Sequence, residues 1–306
     1  MRALCRFQEG DRAKVGLVVS PPGADPCSAE PGADWRVHDL AAVGVSCLAE
    51  ALAGAEDPAR VTAWEQAPGA QPSRSLPEVR LLAPIDEQEL WGAGVTYERS
   101  LAGRTKESDA AASCYDHVYT APRPELFFKA NPCRVRGPGE PVRIRRDSRW
   151  DVPEPELTLA LSPGLRLVGY TCGNDLSSRD LEGENPLYLP QAKIWDGCAA
   201  LGPWIVPAWE VGEGLRDARI ELVVRRGDRT VATGETQVGR MRRSLDELIA
   251  YLGREASFPR GAFLMTGTGI VPEPDFSLEP GDEVSIVIEG IGRLTNPVER
   301  LPEAAL

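Results

Sequence analysis

Histidine is nearly missing from this chain: His38 and His117 are the only two in 306 residues. That scarcity excludes a histidine-built metal centre and leaves little material for a Ser–His or Cys–His nucleophile system. The cysteines, at 5, 27, 47, 114, 133, 172 and 198, are odd in number and form no C-x-x-C pair. Neither a zinc site nor a disulfide framework is expected from them, and they read as reduced thiols. Cys172 and Cys198 lack a histidine nearby in sequence, so packing is their expected role. Positive charge is also in deficit, with 34 Lys and Arg against 46 Asp and Glu, a net charge of −12. Such a surface disfavours nucleic acid and anionic membrane as partners and requires a local positive site for any anionic substrate. No apolar run approaches the roughly 20 residues that span a bilayer, and the start, MRALCRFQEGDRAKVG, turns charged before a signal-peptide core develops. The cytoplasm is the expected compartment.

What the chain does have is a dense stretch from Trp150 to Lys193. Glu156-Leu-Thr-Leu-Ala-Leu161 reads as a strand, whose alternation puts Glu154 and Glu156 on one face and Leu157, Leu159 and Leu161 on the other. Ser162-Pro163-Gly164 has turn composition, and Leu165 to Cys172 reads as the returning strand, delivering Asp175 towards the two glutamates. A turn about Pro163 would set Cys172 opposite Glu154, leaving Asp175 about three residues past register, with Gly173 as the expected bend or bulge. Three clustered carboxylates would repel one another, so either one holds a proton or the cluster binds a cation. All-oxygen ligation selects a hard ion, Mg²⁺ first, with Mn²⁺ and Ca²⁺ as alternatives. The plainer reading of a Glu-x-Glu pair alone is the wet face of a surface strand.

Around the triad, Glu154-Pro-Glu156-Leu, Gly169-Tyr170-Thr171, Asn174-Asp175-Leu-Ser-Ser-Arg179-Asp180, Lys193, Leu201-Gly-Pro-Trp204, Gly267-Thr268 and Pro280-Gly-Asp282 follow in an order that closely resembles the fumarylacetoacetate hydrolase family. The resemblance covers roughly residues 80 to 300. It implies a large C-terminal mixed β-roll domain, an α+β fold overall, and at least a homodimer, with a dimer of dimers as the larger alternative. Arg123-Pro-Glu125-Leu-Phe-Phe-Lys129-Ala and the run from Glu182 to Lys193 look most like the branch that dehydrates 2-keto-3-deoxy sugar acids. Ser100 stands where many family hydrolases carry a catalytic histidine, and a serine offers no comparably basic lone pair, which argues against hydrolysis.

The expected activity is therefore conversion of 2-keto-3-deoxy-D-arabinonate to 2,5-dioxopentanoate, with Glu154, Glu156 and Asp175 as metal ligands. Lys193 is assigned the C3 base and Glu125, beside an apolar run, the acid at the departing hydroxyl; the roles are exchangeable. Arg179 and Thr268 are assigned to the substrate carboxylate, with a structural pairing of Arg179 to Asp180 or Asp196 as the competing reading. Alanine at any triad position is expected to remove the ion and leave the fold largely intact. The rivals are a C–C bond hydrolase or decarboxylase of acylpyruvates or diketo acids, and a non-catalytic ligand-binding homologue.

In chain order, residues 1–75 read as a small N-terminal α/β domain and 76–306 as the catalytic domain. Lys14–Ser20 has strand character, and Val37–Ala53 has apolar residues at helical spacing, with His38 expected at the surface or as a cap. Residues 99–113 are polar, suited equally to a lid or an exposed helix. Ile220–Ala232 reads as a hairpin turning at Gly227-Asp228, and Ser244 opens a helix with a capping-box glutamate at Glu247.

Overall fold

The computed structural model describes residues 1–29, 31–67, 73–97 and 117–302. Ser100 and the segment 99–113 lie outside these. A twelve-stranded sheet organises the molecule, with Arg36–Asp39, Arg12–Val19, Arg2–Glu9, Ala199–Pro207, Leu167–Asp175, Pro155–Leu161, Ala262–Met265, Glu89–Gly94 and Glu125–Ala130 side by side in that order. Neighbours along this run are antiparallel except Ala262–Met265 against Glu89–Gly94, which are parallel. The strand Arg2–Glu9 pairs directly with Ala199–Pro207, Leu4 facing Ile205, so the first strands and the later ones belong to one sheet. A second, five-stranded sheet orders Arg229–Gln237, Arg219–Arg226, Asp282–Ile288, Gly292–Glu299 and Val142–Arg143. With short helices beside mixed sheets, the fold is α+β.

Alternation explains how the layers bury their faces. Leu157, Leu159 and Leu161 point into a core shared with Ile220, Leu222, Val224, Ile286 and Ile288 of the second sheet. Ala160, on the opposite face, joins Leu4, Leu17 and Phe263 beneath Leu48, Leu52, Val61 and Trp64 of the helices Leu48–Ala55 and Pro58–Gln66. The central strand Pro155–Leu161 is thus buried on both sides. This removes the surface-strand reading of the glutamate pair.

The hairpin at Gly227-Asp228 forms as expected, Gly227 adopting φ +59°. Ser244 caps the helix Leu245–Leu252, accepting from the Glu247 N–H at 3.1 Å, but the Glu247 carboxylate takes Arg243 at 2.7 Å instead of closing the box. The helix expected over Val37–Ala53 is not continuous. Val37 and His38 pair as a strand with Val18 and Leu17, Asp39 caps a single 3₁₀ turn at the Ala41 N–H, and Gly44 at φ +82° ends it. Strand pairing outcompeted the helical period there, and His38 is buried. Among the described residues no helix is long and apolar enough to cross a membrane.

Candidate active site

The hairpin Pro155–Leu161 and Leu167–Asp175 places the carboxylates. Its register pairs Pro155 with Asn174 and Glu156 with Gly173, and the Asp175 N–H donates to the Glu154 carbonyl at 3.0 Å. Asp175 is therefore directly opposite Glu154, and no bulge at Gly173 is needed. The turn is longer than expected: it spans Ser162 to Arg166, holds Leu165 at φ +54°, and displaces the irregularity to Ala160/Leu161. Gly173 serves a different purpose, since a Cβ there would come within 2.2 Å of the Thr158 hydroxyl.

Glu154, Glu156 and Asp175 are each about 1% exposed and offer one oxygen apiece within 4.8 Å of one another. Among the described residues three protein cations surround them. Lys193 Nζ lies 2.6 Å from Glu154 Oε2, 3.0 Å from Asp175 Oδ2 and 2.5 Å from the Ser177 hydroxyl. Arg179 bridges Glu154 Oε1 at 2.5 Å and Glu182 Oε2 at 3.0 Å. Lys129, wholly buried, pairs with Asp175 Oδ1 at 2.5 Å. Among the described residues no cation pairs with Glu156; its Oε2 accepts the Gly267 N–H at 2.6 Å. Gly267 is at φ +88° with the Thr96 hydroxyl where a Cβ would sit, so the backbone approach needs glycine. Burial, reinforced by the charges of Asp175 and Glu154, pushes the Glu156 carboxyl well above the usual carboxylate range, against Lys193 and the Gly267 N–H.

That shift predicts a pH dependence in metal-free protein. Folding raises this pKa above its reference value of 4.5, so the group's contribution is complete below pH 4.5 and declines as pH rises through the folded value. Glu156→Gln removes this decline. Thermal unfolding in chelator should show the variant gaining on the wild type as pH rises; a wild type that gains on the variant contradicts the assignment.

The strand Glu125–Ala130 supplies another wall. Its alternation puts Glu125, Phe127 and Lys129 on one face. The Phe127 ring lies 5.5 Å from Lys193 Nζ, and Glu125 sits over Gly94, whose Cβ would meet Glu125 Oε2. Thr268, expected at the substrate carboxylate, exchanges hydrogen bonds with Ile270 of its own loop. The backbone N–H at Gly267 of the same turn is taken by the Glu156 carboxyl. Arg179 pairs with Glu154 and Glu182; Asp180 instead accepts from Ser148, Ser178 and the Arg149 N–H, and Asp196 pairs with Arg134.

Sequence reasoning missed Lys129, Ser177 and Glu182. Lys129 was readable from the period-2 spacing from Glu125, and Glu182 from its position three residues after Arg179 on a helix. Ser177 carried no distinguishing signal. Cys172 and Cys198 are buried, and burial raises the Cys172 thiol, which suits packing.

The profile of the fumarylacetoacetate (FAA) hydrolase C-terminal family matches residues 94–299. The chain belongs to the fumarylacetoacetate hydrolase family. Among relatives, this family member is 47% identical over 215 residues to a probable 2-keto-3-deoxyxylonate dehydratase of Haloferax volcanii, covering 70% of this chain and 73% of the relative. It is 43% identical over 231 residues to the 2-dehydro-3-deoxy-D-arabinonate dehydratase of Saccharolobus solfataricus, covering 74% and 77%. A solved structure of 2-keto-3-deoxy-D-arabinonate dehydratase complexed with magnesium and 2,5-dioxopentanoate superposes with TM-score 0.78 at 32% identity, covering 99% of this chain and all of that one.

Proposed function

We propose that this fumarylacetoacetate hydrolase family member is a Mg²⁺-dependent hydro-lyase that dehydrates 2-keto-3-deoxy sugar acids, converting 2-keto-3-deoxy-D-arabinonate to 2,5-dioxopentanoate. The observation that carries this reading is a buried oxygen-only triad with the Lys193 amine 2.6 and 3.0 Å from two of its members. The donor set fits a hard divalent ion, with neither histidine nor thiolate among the three. Among the described residues, four buried carboxylates, Glu154, Glu156, Asp175 and Glu182, lie with three buried cations, Lys129, Lys193 and Arg179, an excess of acid that suits a bound cation.

Glu154, Glu156 and Asp175 would hold the ion, which when bound supplies Lewis acidity to the substrate's carboxylate and 2-keto oxygen. Lys193 removes a C3 proton and Glu125 protonates the C4 hydroxyl as it leaves, so one C–H and one C–O bond break and water departs. The double bond then moves towards C5 and tautomerises to the aldehyde. Lys193 itself is 1% exposed and so lies out of bulk water. Arg179 and Thr268 are assigned to the substrate's carboxylate end, Arg179 while still anchored by Glu182. Residues 76–306 form the catalytic domain in this reading and 1–75 the small N-terminal one. The enzyme acts in the cytoplasm as at least a homodimer; the free state of the six described cysteines suits a reducing compartment.

Parallel incubation with 2-keto-3-deoxy-D-arabinonate and an acylpyruvate, with Mg²⁺, tests the reaction class. Loss of water from the first and no cleavage of the second is the expected outcome. Cleavage of the acylpyruvate with the sugar acid untouched would overturn the reading in favour of a C–C hydrolase.

A further inference from the structure

Each carboxylate of the triad has one oxygen clamped by a group other than Lys193. Arg179 takes Glu154 Oε1, the Gly267 N–H takes Glu156 Oε2, and Lys129 takes Asp175 Oδ1. Lys129 is the most constrained of these clamps. Its contact with Asp175 Oδ1 is an ion pair, while its ammonium donates hydrogen bonds to the backbone carbonyls of Leu176 at 2.8 Å and Lys193 at 2.5 Å and lies 5.2 Å from the centre of the Trp195 ring. Two fixed carbonyls and a ring face thus determine where the positive charge sits, and Asp175 cannot turn Oδ1 away without leaving that charge buried beside it. The other oxygen, Oδ2, faces Glu154 Oε2 across Lys193.

We propose that Lys129 is a positioning residue that holds Asp175 to a single oxygen at the metal centre and thereby biases the centre towards a small octahedral ion over Ca²⁺. The inference rests on the reading of Glu154, Glu156 and Asp175 as the ion's ligands. Its physical basis is the difference between the two ions. Mg²⁺ accepts six oxygens in a near-ideal octahedron, which three one-oxygen carboxylates serve well while leaving positions for substrate and water. Ca²⁺ takes up to eight oxygens and gains from carboxylates that bind through both. A clamp that withholds the second oxygen of Asp175 therefore costs Ca²⁺ more than Mg²⁺. A lysine that merely holds Leu176 and Lys193 in place would affect both ions alike.

Isothermal titration of chelator-stripped protein with Mg²⁺ and separately with Ca²⁺ reads the ratio of the two affinities, independently of turnover. In Lys129→Gln and Lys129→Met the ratio is expected to shift towards Ca²⁺ by about tenfold. An unchanged ratio, including equal weakening of both ions, would overturn the proposal while leaving the metal site standing. Failure of the wild type to bind either ion would instead overturn the metal reading itself. Should neither variant fold, a crystal structure of the wild type grown with Ca²⁺ decides the matter: one Asp175 oxygen at the ion is the expected result, and both oxygens at the ion contradict the clamp.

Discussion

Replacing Lys193 by methionine is expected to lower turnover by roughly 10² to 10⁴, the usual range for loss of a positioned general base. The same variant should stop exchange of the substrate's C3 hydrogens with deuterated water. Methionine keeps the approximate length of the side chain at the end of the helix Leu189–Lys193, so contact with Phe127 is retained while the nitrogen is lost. In the structure that nitrogen is ion-paired with both Glu154 and Asp175, so removal of a C3 proton requires these pairs to loosen first. Glu125→Gln separates the two roles. It should preserve C3 exchange and block loss of the C4 hydroxyl, because only the acid has been removed. Wild-type exchange in Lys193→Met would move the base to another residue, with Glu125 the first to consider.

Glu154→Ala is expected to abolish Mg²⁺ binding and also to destabilise the metal-free fold by about 3–5 kcal/mol, the usual penalty for breaking a buried ion pair and stranding its partner. This revises the expectation from sequence, in which an isolated ligand could be removed with the fold largely intact. Glu154 is the acceptor for Arg179 through one oxygen and Lys193 through the other, at 2.5 and 2.6 Å, with all three side chains about 2% exposed or less. Glu154→Gln keeps one carbonyl acceptor and should fall between wild type and alanine in stability while losing the ion as fully as alanine does. Denaturant titration in chelator measures the first effect and Mg²⁺ calorimetry the second. Equal stability of the alanine variant and the wild type would show that these buried pairs contribute nothing net.

The clustering of the three carboxylates was legible because strand alternation is a strict period of two: Glu154 and Glu156 had to share a face, and the antiparallel return brought Asp175 to the same side. Their exact opposition was not legible. It depends on a five-residue turn with Leu165 in the left-handed region, which turn composition alone does not distinguish from a tighter one. The surrounding cations were only half readable. Lys129 lies on the face of Glu125 by simple counting, yet its meeting with Asp175 requires knowing that the strand Glu125–Ala130 packs near the end of the hairpin, a long-range fact that no local pattern carries. Thr268 illustrates the converse. It was assigned to the substrate carboxylate, but in this structure its hydroxyl bonds Ile270 of its own loop, and the neighbouring Gly267 N–H is taken by the protein's own Glu156. In the first quarter, Val37 and His38 had helical spacing and were nonetheless recruited to a strand of the main sheet. The strand Arg2–Glu9 escaped notice although Gly10-Asp11, at φ +56° for Gly10, is the hairpin turn that joins it to Arg12–Val19.

The most direct measurement of the central claim is the mass of the product formed from 2-keto-3-deoxy-D-arabinonate by chelator-stripped enzyme before and after Mg²⁺ is restored. The account predicts unchanged substrate before addition and 2,5-dioxopentanoate, lighter by one water, afterwards. Undiminished water loss without the ion, or none with it, would contradict the account.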